Sequence, residues 1–197
     1  MSSIVDDILN EKIRKKRTLH QYAKLKKLPE VIKLGHLWDS EKQLLLDNVL
    51  DTPISNDRGI KNRVNTRVYG VEHDYSTPAG KTYNQRHIDN FNFHIDCLKP
   101  FFEDCFDWRY AELEPQSGIP EHLDDPFTYR LVVMLEGEQI GQFGSVKNPM
   151  KAGEVWFLNS AFKHSVYNHT NKKRIALLGR FNINDTTTKL LRDRAGK

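Results

Sequence analysis

The stretch Pro120-Glu121-His122-Leu123-Asp124-Asp125, completed downstream by Gly153-Glu154-Val155-Trp156-Phe157-Leu158-Asn159 and His164, decides how this chain is read. His122 and Asp124 are separated by one residue. On an extended strand, residues i and i+2 project from the same face, so the imidazole and the carboxylate point into one space. Taken alone, the pair is a polar turn, because Glu121 and Asp125 flank it and Pro126 follows. His164, after the apolar run Val155 to Leu158, supplies a third ligand-type side chain, and Arg174 then opens Arg174-Ile175-Ala176-Leu177-Leu178.

Two histidines and one carboxylate on one face of a metal ion leave the opposite positions open, the arrangement of non-haem Fe(II) sites that activate oxygen. Asp125, at i+3 from His122, faces the other way on a strand. His169 is the rival of His164, but Asn168 to Lys173 reads as a hairpin loop away from the core. Arg174 heads an apolar strand, and Arg180 lies on the same strand face. A buried guanidinium needs a partner, and a carboxylate suits its planar fork.

Working outward from these residues, the chain after Trp108 reads as sheet. Tyr110 to Leu113 predicts a strand, and Glu114 to Pro120 turns it toward His122. Arg130 to Leu135 is a buried strand, with short strands between Ile140 and Val146 and at Val155 to Leu158, Ser165 to Tyr167 and Arg174 to Phe181. Short strands at such spacing suggest a sandwich or barrel. Trp156 and Phe157 are core residues, while Tyr110 and Gln116 are expected to line the pocket.

Upstream, residues 3–27 predict a basic helical extension. Val31 to Leu34 predicts a strand. A helix capped by Asp39 or Ser40 then runs to Leu50, with Leu44, Leu45, Val49 and Leu50 inward. Val64 to Tyr69 alternates like a strand, and Asp74 to Gly80 is a loop placed as a lid. Ile88, Phe91, Ile95 and Leu98 recur at three- and four-residue steps and predict a helix over 84–106. It carries two more H-x-D matches, His87-Ile88-Asp89 and His94-Ile95-Asp96. On a helix, i and i+2 lie roughly 200° apart, so these pairs read as surface or capping groups. The fold class is therefore mainly β with N-terminal helices, divided as a basic extension (1–30), one β domain (31–184) and a polar C-terminal tail (185–197).

The chain has 197 residues, of which 38% are hydrophobic and 28% charged, enough to close one core. No apolar run approaches the roughly 20 residues of a membrane helix. The start, Met1 to Asp7, carries acids where a signal peptide has bases, and with the reduced thiols expected for Cys97 and Cys105 this predicts the cytoplasm. The formal net charge of +4 is concentrated between Glu11 and Lys27 and at Lys172-Lys173-Arg174. A solvated helix face is the preferred account of that charge over a nucleic-acid surface. A homo-oligomer paired through the extension is left open.

His122-Leu123-Asp124, Arg130 opening an apolar strand, Gly153 to Asn159, His164-Ser165-Val166, Asn168 and Arg174 together resemble the Fe(II)/2-oxoglutarate-dependent dioxygenases. The resemblance runs from about Trp108 to Asn182. It is greatest to the branch of bacterial proline hydroxylases and aspartyl/asparaginyl β-hydroxylases. Asp124, a ligand that the β-hydroxylases proper often lack, points to the amino-acid hydroxylase side. The resemblance implies a double-stranded β-helix with the site in its open mouth and Fe(II) held by His122, Asp124 and His164. It implies 2-oxoglutarate and O2 as cosubstrates, Arg174 on the far carboxylate, and Arg130 on a second anion. The substrate expected is a free amino acid or, second, a peptide or protein side chain. A non-catalytic binding module and a cupin-type isomerase that does not use 2-oxoglutarate are the other classes.

Overall fold

The computed structural model describes residues 27–52, 83–122 and 128–196. The extension expected over the first thirty residues lies outside them save for its end, as do the strand at 64–69, the loop at 74–80 and Asp124. From residue 105 onward, apolar residues alternate or run in blocks between turns. Eight strands form there: β3 (Cys105–Leu113), β4 (Ser117–His122), β5 (Thr128–Glu136), β6 (Glu138–Phe143), β7 (Val146–Lys151), β8 (Glu154–Leu158), β9 (His164–Asn168) and β10 (Arg174–Asn182). Their antiparallel pairs are nested, β3 with β10, β4 with β9, β5 with β8 and β6 with β7. The eight strands are thus one long hairpin whose arms run side by side.

That hairpin is coiled, because β5 also pairs with β10 and β6 with β9. Two sheets result, ordered β1-β8-β5-β10-β3-β2 and β4-β9-β6-β7. The fold is a double-stranded β-helix. Its larger sheet is extended at the edges by β1 (Val31–His36) against β8 and β2 (Tyr83–His87) against β3.

Period-two alternation sorts the larger sheet's residues onto two faces. Val132, Met134, Leu158 and Ala176 pack with Phe143 and Met150 of the smaller sheet and fill the space between the sheets. Leu131, Val133, Phe157, Leu177 and Phe181 face the other way. There they meet helix α1 (Asp39–Asp51), a 3-10 helix (Asp96–Asp104) and helix α2 (Asp185–Ala195) through Leu45, Val49, Leu98, Phe101 and Leu191. Trp108 lies on this outer face, stacked on Phe91 at 4.2 Å between ring centroids. It passes directly over Gly179, where a Cβ would come within 2.8 Å of the indole. No helix among the described residues is long and apolar enough to cross a membrane.

Three local expectations are corrected. Residues 84–106 are not one helix: β2 ends at His87, and the next helical residues are the 3-10 helix at Asp96–Asp104, with Pro100 inside it. Proline lacks the N–H that an α-helix interior requires. The three- and four-residue spacing comes instead from a segment wrapped on the outer face, where Ile95 and Leu98 are fully buried. In α1 Leu45 and Val49 are buried as expected, whereas Leu44 and Leu50 are 53% and 83% exposed. The N-cap is Trp38, whose backbone N–H donates to Glu41 Oε2 at 2.7 Å.

The third correction concerns the end of the chain, where a polar tail was expected and α2 forms. Asn184 caps it by accepting a hydrogen bond from the Thr187 backbone N–H at 2.8 Å. Leu191 is fully buried, Thr188 Oγ1 lies 2.9 Å from the Tyr129 hydroxyl, and Arg194 Nη1 donates to Leu34 O at 3.1 Å.

Candidate active site

Antiparallel pairing of β4 with β9 sets His122 opposite His164, and that of β6 with β9 sets Phe143 opposite His164. The two imidazole rings stand 4.3 Å apart between centroids, tilted by 53°. Phe143 stacks on the far side of His164 at 5.4 Å and 17°, and Phe143 belongs to the core between the sheets. The histidine pair therefore sits at one end of that interior, where β4 finishes and β5 begins.

His164 is 5% exposed, and its Nδ1 lies 3.0 Å from the carbonyl oxygen of Phe162. A carbonyl oxygen can only accept, so Nδ1 carries the proton in this bond, and in a neutral ring Nε2 is then the nitrogen that can ligate a metal. Carbonyls and carboxylates commonly orient metal-binding histidines in this way. Two imidazoles this close, one fixed in the ligating tautomer, fit a divalent transition metal. Among the described residues no group of three His, Cys, Asp or Glu side chains forms a metal cage. Asp124, the expected third ligand, lies outside the described residues.

The rivals and controls separate cleanly. His169 is exposed in the loop after β9. His94 is exposed and pairs with Asp96 at 2.9 Å rather than standing near the histidine pair. The reason is not the helical one expected: His87 ends β2, His94 lies between β2 and the 3-10 helix, and Asp96 opens that helix. Tyr110 and Gln116 do not line the interior. Tyr110 faces outward and donates to Asn48 Oδ1 at 3.1 Å, and Gln116 is exposed in the turn before β4, bonded to His169 O.

Arg174 is 2% exposed and lies at the opposite end of the interior. It pairs with Leu113, at the level where Asn168 ends β9 and its amide donates to Leu113 O and Glu114 O. That level is four residues from His164, or about 13 Å along the strand at about 3.3 Å per residue. The side chain does not stay there. Arg174 Nη1 donates to Ala111 O at 2.9 Å, two residues along β3 toward the histidine end. The guanidinium thus reaches back along the interior.

Arg130 and Arg174 are not brought together. Arg130, 9% exposed, stands at the histidine end near the start of β5, opposite Leu158 and Arg180. Two arginines the sequence reading did not assign join it there across adjacent strands. Arg180 Nε lies 3.0 Å from Asp107 Oδ2, and Arg109 Nη1 lies 3.8 Å from the same oxygen. Asp107 has φ +53° where β3 bulges against β10. An extra residue in one strand re-aims the side chains beside it, which is how Arg109 comes to share Asp107 with Arg180. Register sets this row, and register is invisible until the bulge is known.

Comparison with known proteins bears on the same segment. A family model described as aspartyl/asparaginyl beta-hydroxylase matches residues 84–182, which carry both histidines and Arg174. Among curated proteins, none matches the chain. Similar solved structures include a predicted oxalate decarboxylase from Thermotoga maritima, 20% identical over 51% of this chain and 81% of that one, with a TM-score of 0.41. The Cnp3 cupin domain of Schizosaccharomyces pombe is 12% identical over 58% and 71% of the two chains, with a TM-score of 0.42. A cupin 2 conserved barrel domain protein from Salinispora arenicola is 15% identical over 57% and 84%, with a TM-score of 0.39. The fold assignment itself rests on the strand order given above.

Proposed function

The chain belongs to the aspartyl/asparaginyl β-hydroxylase family, and from that premise we propose that it is an Fe(II)/2-oxoglutarate-dependent dioxygenase. In this reading it hydroxylates an unactivated C–H bond of an amino acid, free or within a peptide, and a free amino acid is the first candidate. The observation that carries the reading is the apposition of His122 and His164 at one end of a dry interior that has Arg174 at the other. His122 and His164 would hold the iron, with Asp124 as the carboxylate ligand. When bound, the metal supplies oxygen activation, in which 2-oxoglutarate, O2 and a substrate C–H bond become succinate, CO2 and a C–OH group.

The rest falls to the chain's own side chains. His164 keeps its Nδ1 proton on Phe162 O, so that Nε2 stays a donor to the metal. Arg174 reaches two of the four residues between its own level and the histidines, leaving about 7 Å at about 3.3 Å per residue. A five-carbon diacid held at the histidine end would span such a gap and could set its far carboxylate on the guanidinium. Phe143, Met134, Met150 and Ala176 are the apolar side chains between the two ends, and a cosubstrate held there would lie against them, away from water. A dry path strengthens the ion pair and protects the reacting end from side reactions. Arg130 is read as the anion contact at the histidine end, for the near carboxylate of the cosubstrate or for that of an amino-acid substrate.

The test is a turnover screen over amino acids and short peptides with Fe(II), 2-oxoglutarate and oxygen. A substrate that gains the mass of one oxygen in step with succinate formation is the expected result. Oxidation without succinate would replace this reading with another metal-dependent chemistry of the barrel.

A further inference from the structure

Along β6 the residues Gln139, Gly141 and Phe143 turn inward. Phe143 lies beside His164, so Gln139, four residues back, lies at the Arg174 end of the interior. The turn before it confirms the level: Gly137 is so close that a Cβ there would come within 2.8 Å of Lys173 O and 3.1 Å of Arg174 Cα. Gln139 is 2% exposed. Its Nε2 faces only the thioether of Met150, at 3.2 Å, and its Oε1 is buried with no hydrogen-bond partner among the described residues. Met150 packs with Met134 and Ala176, so the amide stands between the sheets among apolar side chains.

A buried amide in this condition is costly, and a native protein that keeps one usually has a use for it. Thioether sulfur is a weak partner for the amide. The terminal torsion of glutamine is soft, and a half turn exchanges the two ends. Either way, one end of the amide is buried with no hydrogen-bond partner among the described residues, on the same level as the buried Arg174.

We propose that Gln139 is a positioning residue for the far carboxylate of 2-oxoglutarate, its amide N–H donating to one carboxylate oxygen while Arg174 pairs with the group as a whole. This rests on the reading of the interior as a 2-oxoglutarate pocket. It makes Gln139 a discriminator between dicarboxylic and monocarboxylic 2-oxo acids. An apolar residue at this position tolerates a methyl end, whereas an amide between methionines favours a carboxylate.

The experiment measures dissociation constants by anaerobic calorimetry on the Fe(II) protein, for 2-oxoglutarate and for 2-oxopentanoate, which has a methyl group in place of the far carboxylate. Gln139→Leu and the closer-sized Gln139→Met should weaken 2-oxoglutarate about ten- to hundredfold, the worth of one hydrogen bond to a charged group. Both should leave 2-oxopentanoate unchanged, and Gln139→Glu should weaken 2-oxoglutarate further by setting like charges together. Equal losses for both ligands, or an unchanged 2-oxoglutarate constant while Arg174→Ala weakens it, would overturn the role of Gln139 alone. Absence of 2-oxoglutarate binding to the iron-loaded, folded wild type would overturn both this role and the reading beneath it.

Discussion

Each site residue owes its role to a specific contact. His164 is fixed from behind by Phe162 O and flanked by Phe143 and His122, so in the proposed site its removal would take away a metal donor with little change to the core. His122→Ala and His164→Ala should therefore abolish turnover and iron binding while thermal melts stay near wild type. His94→Ala, which loses only an exposed contact to Asp96, should keep iron. Loss of iron in the His94 variant with retention in the His122 variant would show that the site is misplaced. Arg174 is a different kind of residue, a buried cation whose proposed role would be read in cosubstrate affinity. Truncating one partner of a buried charge pair costs about 2–5 kcal/mol, or tens- to thousands-fold in affinity. Arg174→Ala should raise the 2-oxoglutarate dissociation constant by that factor with iron affinity unchanged. Arg174→Lys should recover only part, since an ammonium lacks the planar fork, and Lys172→Ala should do almost nothing. A wild-type constant for Arg174→Ala would move the anchor to Arg130 or Arg180.

At the scale of elements, the sequence was most informative where side chains alternate on strands and least where a segment has no period of its own. The strands read between Tyr110 and Phe181 are present because a barrel wall must present apolar residues at every second position on its inner face. The strand readings also set His122, His164 and Arg174 at strand ends: His122 closes β4, His164 opens β9 and Arg174 opens β10. Residues 84–106 were misread because Phe91, Ile95 and Leu98 meet the outer face of the sheet at intervals that mimic a helical stripe. The helix at 185–195 was missed because two of its inward positions are threonines, Thr187 and Thr188, buried through hydrogen bonds rather than apolar surface. Gln139 gave no signal, since a glutamine on a short strand is ordinary until its burial is known.

Edge strand β2 adds a pH dependence that belongs to the same scale. Glu112 on β3 accepts from Arg86 Nε of β2 at 2.7 Å and from Lys173 Nζ at 3.2 Å. Burial raises the Glu112 carboxyl, but the bonds and charges of Arg86 and Lys173 outweigh it and hold the group below the ordinary glutamate value. A folded-state value below the unfolded one means that this stabilisation is present above the unfolded value and lost as pH falls through the folded one. Lys173 is held above the ordinary lysine value, first by Glu114 and then by Glu112 against burial, so its share is lost only at high alkaline pH. Denaturant melts of Glu112→Gln should show lower stability than wild type at neutral pH and a shallower loss below the usual carboxylate range. A parallel pH dependence in the two proteins would mean that other carboxylates carry the acid sensitivity.

At the scale of the whole molecule, one sheet serves two cores. Its inner face runs from the level of the histidine pair to that of Arg174, and its outer face is covered by α1, the 3-10 helix and α2. The helices therefore hold the inner face in register without touching the site. Leu191, fully buried from α2 against that outer face, is the point of closure nearest the chain end. Leu191→Ala should cost about 2–5 kcal/mol of unfolding free energy in a denaturant titration, as large-to-small core substitutions do. A cost near zero would mean that α2 is dispensable to the barrel. The central claim lies in the path itself, with metal donors at one end and a carboxylate anchor at the other. Its most direct test is an anaerobic optical titration of the Fe(II)-loaded protein with 2-oxoglutarate. The account predicts a weak visible charge-transfer band that saturates in the wild type, needs far more 2-oxoglutarate in Arg174→Ala, and is missing in His164→Ala. A folded, iron-loaded wild type that develops no band at saturating 2-oxoglutarate would contradict it.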